Sequence, residues 1–256
     1  MHPLVNIAVS AVRQASRISL HGMDIVRSHS KGPSDFTNKM ELKAEQVMID
    51  VIKAAYPNHA IAAKFTGSMP GKDITWLIDS LDGLSNFHSE IPHFAITIAI
   101  KENDRIQHSV IYAPVVDELY TASRGRGSSV NGRRLRVTNQ KDLKNCTLAT
   151  GFPSPNSTNG KTKMAAFTDF INQCDDLHLT GCPSLDLASV AAGRIDGFWQ
   201  FGLTQWEISA ASLMVLEAGG ILDDMQGQAK HLTSGNVIAA SPKIFKAIAK
   251  TIRPHL

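Results

Sequence analysis

The chain has 256 residues, 43% of them hydrophobic, and a formal charge of +3. These values are ordinary for a globular protein able to bury a sizeable core, and the mild basicity permits contact with nucleic acid or phosphorylated ligands without arguing for it. No apolar run approaches the ~18 residues of a membrane span, and no H-x-x-x-H pair sits on a plausible helix, which argues against a histidine-built zinc site.

The first residues lack the basic region and apolar block of a signal peptide, so a cytoplasmic protein is expected. Cys146, Cys174 and Cys182 are odd in number and lack metal-type spacing, which predicts free thiols in a reducing compartment.

In chain order, residues 3–27 predict an amphipathic helix, with Leu4, Ala8, Ala11, Ala15 and Ile18 at steps of three and four. Ser28 to Asp35 reads as a loop around Gly32-Pro33, and a second helix is expected from about Glu41 to Ala55, before Pro57. AIAA, ITWLID, HFAITIAI, SVIYAP and ELYTAS carry the β-branched and aromatic residues of an antiparallel or mixed sheet. Asn131-Gly132 marks a hairpin between strand-like flanks. Beyond about residue 140, helices and strands alternate. CTLATG predicts a strand and KMAAFTDFINQC a helix. Helices ending at Gly193 and at Gly219-Gly220 follow, then a strand over Asn236 to Ala240 and a helix over Pro242 to Ile252. The class expected is α/β, one unit over 1–256 with halves of about 1–140 and 141–256.

The chemistry concentrates in WLIDSLDGLSNF. Ile74 to Ile78 predicts a strand entering the core, with Asp79 and Asp82 where it breaks. Between them, the backbone carbonyl of Leu81 could complete an oxygen cluster. Two carboxylates and a carbonyl form a hard ligand set that favours Mg²⁺ over zinc. Gly83 and the residues after it would begin a helical turn whose free N–H groups suit a phosphate. An Asp-Gly turn that merely caps a helix accounts for D-x-x-D-G equally well.

Asp79 to Phe87 resembles the D-P-[IL]-D-G-T-x-N-F signature of the inositol monophosphatases, and Trp206 to Ala211 with Glu217 to Gly220 resembles their W-D-x-A-A-G…E-A-G-G signature. The opening MHPLVNIAV, LATGFP and LDLASVAAGRIDGF are most similar to the bacterial SuhB branch. The resemblance covers nearly the whole chain and implies a layered αβαβα sandwich, a homodimer, and Mg²⁺-dependent hydrolysis of phosphate monoesters such as inositol-1-phosphate. In that scheme one ion and a threonine–carboxylate pair activate water while a second ion stabilises the leaving oxygen.

Measured against the family pattern, most of the groups with chemical roles are altered. Lys64 stands in place of a metal-binding glutamate and Phe65 in place of its neighbour. Leu84 replaces the water-polarising threonine, and Glu41 the aspartate that orients it. Glu207 replaces a metal-binding aspartate, Gln200 a sugar-contacting glutamate, and Pro183 a small residue facing the ring. Ser80 replaces the signature proline. Asp79, Asp82, Gly83 and Lys31 match the family, with Gly83, Leu84 and Ser85 forming the phosphate turn. An ammonium beside Asp79 would pair with that carboxylate and repel a divalent ion. A site with weak or absent Mg²⁺ binding and little turnover is therefore expected.

For the SuhB branch, the resemblance implies a non-catalytic role in transcription antitermination, through an elongation factor, RNA polymerase and RNA. Arg124, Arg126, Arg133, Arg134 and Arg136, around a glycine-rich bend and the hairpin, are candidate RNA contacts. Solvated arginines on an edge hairpin are the plainer reading, because no aromatic residues are interleaved with them. A weak Mg²⁺-dependent phosphatase, or a sensor holding a phosphate at Gly83–Ser85, are the alternatives.

Overall fold

The computed structural model describes residues 2–28, 34–152 and 160–256. Lys31 and most of the loop expected around it lie outside those residues. Helix α1 (Pro3–Ser28) is followed by α2 (Ser34–Ala55), which begins well before the expected Glu41. Its first turns read as polar in the sequence, but Thr37 and Met40 are buried and carry the inward stripe back to the loop.

An eight-stranded sheet follows: β1 (Ala60–Ala63), β2 (Gly67–Met69), β3 (Ile74–Asp82), then, after the short α3 (Leu84–His88), β4 (Ala95–Glu102), β5 (Arg105–Ala113), β6 (Glu118–Ser123), β7 (Gly127–Val130) and β8 (Arg133–Arg134). The spatial order is β2-β1-β3-β4-β5-β6-β7-β8. The β1–β3 pair is parallel and the other pairs antiparallel, so the sheet is mixed as expected. At the predicted hairpin, Asn131 and Gly132 have φ of 47° and 79° and connect paired Val130 and Arg133. Two consecutive positive φ values are what a two-residue turn needs to match strand twist.

The second part comprises β9 (Thr147–Thr150), α4 (Gly160–Ile171), β10 (Asp176–His178), α5 (Pro183–Ala191), β11 (Gly197–Gln200), α6 (Gln205–Glu217), β12 (Ile221–Asp223), α7 (His231–Ser234), β13 (Val237–Ala240) and α8 (Pro242–Ile252). Its five strands lie in the order β10-β9-β11-β13-β12. The sequence reading did not identify β2, β10, β11 and β12. Each is three or four residues long, too short to show a period.

Three apolar clusters define the layers. Val5, Ala8, Met48 and Ile52 of α1 and α2 pack on Trp76, Ile78, Ile98 and Val110 of the first sheet. Leu187, Ile208 and Met214 of α5 and α6 lie between that sheet's other face and Ala149, Phe198 and Ala239 of the second. Phe170 of α4 and Ile248 of α8 cover the far face through Trp199 and Ile238. The result is the αβαβα sandwich, an α/β fold. No helix among the described residues is long and apolar enough to cross a membrane.

Candidate functional site

Strand β3 does not end at Asp79 as the sequence reading expected. Asp79 pairs with Thr97 and Asp82 with Ala95, so three steps on β3 oppose two on β4. Residues three apart on a regular strand face opposite ways. The extra residue of this bulge resets the alternation, so Asp79 and Asp82 fall on the same side. Both are nearly inaccessible, at 1% and 4% exposure. Gly83 follows with φ of 91°, and a Cβ there would lie 2.9 Å from the His93 carbonyl oxygen, so only glycine fits the turn into α3.

Lys64 sits in the tight turn between β1 and β2. Buried Glu45 of α2 holds that turn, accepting from the N–H groups of Phe65 at 3.1 Å and Thr66 at 2.6 Å. The Lys64 Nζ lies 3.4 Å from Asp79 Oδ1 and 3.4 Å from the Leu81 carbonyl oxygen. Those are two of the oxygens from which the sequence reading built a metal site. Burial alone would lower the lysine pKa, but Asp79, Glu41 and Asp82 together raise it above its ordinary value. The side chain is therefore an ammonium at neutral pH.

Glu41 faces the same cation from α2. It is fully buried, and neither carboxylate oxygen has a hydrogen-bond partner. Burial raises its pKa to about 7, with Lys64 opposing the rise. Asp79 Oδ1 also accepts from Leu81 N at 3.1 Å, while Oδ2 is unpartnered. Burial raises the Asp79 pKa as well, and Lys64 again opposes it. Ser80 donates to the Glu41 carbonyl at 3.1 Å, tying β3 to α2.

Asp82 turns to the N-terminus of α5. Its Oδ2 accepts from Ser184 N at 2.8 Å and from Cys182 Sγ at 3.2 Å. Pro183 occupies the first position of that helix and has no N–H to offer, so Ser184 provides the amide. Burial lifts Asp82 to a pKa of about 7, with Glu207 and Asp79 adding to the rise.

Glu207 turns back on its own helix, its Oε2 accepting from Thr204 N at 2.7 Å and Thr204 Oγ1 at 2.8 Å. This is the glutamate arm of a capping box, for which glutamate three residues past the cap has the right reach. Gln200 covers Gly151, where a Cβ would come within 2.5 Å of its amide. Leu84 packs toward the apolar cluster of Met23, Met40, Phe87 and Phe94, so hydrocarbon stands at the start of α3. Ser85 is exposed.

This arrangement does not fit a pair of magnesium ions. An ammonium stands against Asp79 and the Leu81 carbonyl. Asp82 and Glu207 each commit an oxygen to protein donors, and no group of three His, Cys, Asp or Glu side chains among the described residues is placed to hold a metal.

Sequence reasoning gave no site role to Glu45, Asn86, Cys182 or Ser184. Asn86 donates to the His93 and Thr180 carbonyls at 2.8 and 2.7 Å, linking the loop after α3 to the approach of α5. It lies inside the quoted signature, and Glu45 continues the inward stripe of α2. Those signals were available. The backbone amide of Ser184 left none.

The candidate RNA arginines lie elsewhere. Strand β8, with Arg133 and Arg134, closes the first sheet five strands from β3, about 24 Å at the usual strand spacing. Arg124 Nε and Arg136 Nη1 each donate to a backbone carbonyl, at 2.9 Å, on Ile106 and Leu135. Arg126, Arg133 and Arg134 are exposed.

Fold and motifs agree with comparisons to known proteins. The family model described as "Inositol monophosphatase family" matches residues 1–256, and the chain belongs to that family. It is 41% identical to the Nus factor SuhB of Pseudomonas aeruginosa and to that of Escherichia coli, in each case over 100% of this chain and 98% of the relative. The crystal structure of extragenic suppressor protein suhB from Bartonella henselae superposes with a TM-score of 0.92 at 32% identity, covering 100% of both chains.

Proposed function

We propose that this chain acts by binding rather than by hydrolysis. Its relatives carry the name Nus factor, which supports a transcription-related role, and we place that role in protein and RNA contacts within a transcription complex. The observation that carries the reading is the Lys64 ammonium 3.4 Å from both Asp79 Oδ1 and the Leu81 carbonyl. A fixed cation there opposes a divalent one, and Leu84 offers no hydroxyl to polarise water. General-base and metal assistance contribute many orders of magnitude between them, so losing both leaves little turnover.

One observation favours a second reading, a weak Mg²⁺-dependent phosphatase acting on inositol-1-phosphate or a related ester. Three buried carboxylate oxygens, two on Glu41 and one on Asp79, lack partners and would welcome a cation if Lys64 swung outward. Calorimetry with Mg²⁺ and Mn²⁺, beside a myo-inositol-1-phosphate hydrolysis assay, separates the two. The binding reading expects no saturable metal uptake below millimolar concentration and no hydrolysis above background. It also expects that Lys64→Glu with Leu84→Thr gains metal affinity. Micromolar Mg²⁺ binding with turnover by the natural chain would overturn it in favour of the phosphatase.

A further inference from the structure

Helix α8 divides its residues by face. Ile244, Ile248 and Ile252 are fully buried against the second sheet. Lys243, Lys246 and Lys250, with Arg253 just past the helix end, recur at steps of three and four along the other side, and all four are exposed. At the helical rise that stripe is about 15 Å long, with a cation roughly every 5 Å.

Two open clefts flank it and share Lys250. The larger, of 660 Å³, lies between the Leu143–Asn145 turn, α4 and α8, and carries Lys141, Lys144 and Lys250. The smaller, of 330 Å³, lies between α8 and the loop at Asp224 and carries Lys246, Lys250 and Arg253. Among the described residues, none of these five side chains has an ion pair or a hydrogen bond.

The acids in the same walls are already engaged. Asp142 accepts from Lys144 N at 3.2 Å, and Asp169 pairs with His255 at 2.7 Å. Asp224 accepts from the backbone N–H groups of Gln226, Gln228 and Lys230 at 2.9, 2.9 and 3.0 Å. Five cations against three committed carboxylates leave surplus positive charge facing the clefts.

We infer that these two clefts form a binding surface for the phosphate backbone of single-stranded RNA, laid across Lys250. Lys246, Lys250 and Arg253 follow one another at helical spacing, and Lys141 and Lys144 stand across the larger cleft from Lys250, a spread that suits a chain of repeating charges better than one small anion. Lysines are compact point charges suited to contact without sequence preference. Half-buried Phe245, in the wall of the smaller cleft, offers a ring for a base to stack on. The inference rests on the binding reading for its class of partner and on α8 for its position.

The test is fluorescence anisotropy of the full chain with a labelled, unstructured 20-nucleotide RNA, titrated between 50 and 200 mM salt. Affinity should fall with salt, with a log–log slope of about −3 if most of the five cations meet phosphates, at about 0.7 per phosphate. Lys144→Glu with Lys250→Glu should weaken binding at least tenfold and flatten the slope by about 1.4. Lys144→Gln with Lys250→Gln should weaken binding by less while flattening the slope by the same amount, with unaltered thermal melting, which separates lost contacts from misfolding. The surface assignment is overturned if Arg133→Glu with Arg134→Glu abolishes binding while the cleft variants do not. Equal competition by polyglutamate would point to an acidic protein segment instead. Absence of RNA binding would also sink the inference, while leaving the metal and hydrolysis measurements above unaffected.

Discussion

Asp79 and Asp82 share one strand and one face, yet their charges meet different partners. Asp79 faces a side-chain cation at 3.4 Å on a turn that Glu45 clamps. Asp82 faces an amide at the start of α5, 2.8 Å away, and the Cys182 thiol. The amide is part of the backbone and cannot be removed by changing a side chain, except to proline. The lysine can be removed by any substitution. The contrast separates a compensation that belongs to the fold from one that belongs to a single residue, and the second kind is where a family site can change character fastest.

Lys64→Met strikes that contrast hardest. It leaves Asp79 and Glu41 without the cation they face. The expected loss is about 3 kcal/mol, at the low end for a broken buried pair because the Lys64 side chain keeps 29% exposure. Thermal melting in the presence of a chelator reads it, and an unchanged Tm would show that the ammonium does not compensate the carboxylates.

Glu45→Ala sharpens the comparison by freeing the turn instead of the charge. Two hydrogen bonds to a buried carboxylate are lost, at a cost of about 2 kcal/mol. Amide exchange at Phe65 and Thr66 should accelerate, and protection kept there would show that the turn holds itself.

Glu207→Asp has the smallest expected effect. It restores the residue type of the family signature but shortens the reach to Thr204, costing at most about 1 kcal/mol of helix capping. Urea unfolding checks this, and equal midpoints would mean that Glu207 does not support its helix.

Much of the fold is legible in the amino-acid sequence. The inward stripe of α1, the Asn131-Gly132 hairpin and the end of α6 near Gly219 are set by near neighbours in the chain. Residues whose roles depend on distant partners were harder to read. The bulge between Asp79 and Asp82 is defined by register with β4, and the start of α2 by burial of Thr37 and Met40. In the candidate site, alignment with the signatures could name which side chains gather around Asp79, but not their directions. That Glu207 bends back to Thr204, and that Arg124 and Arg136 point to backbone carbonyls, are properties of rotamers that spacing cannot report.

The first sheet ends in two very short strands, Gly67–Met69 and Arg133–Arg134. A long bare rim of unpaired N–H and C=O groups would invite another chain to continue the ladder. Here one rim offers three residues, and the other offers two that bear adjacent exposed guanidinium groups. Any molecule adding itself there must strip water from two positive charges for very few new bonds. Arg133 and Arg134 thus help keep the protein from stacking edge to edge in concentrated solution, whether or not they ever meet a nucleic acid.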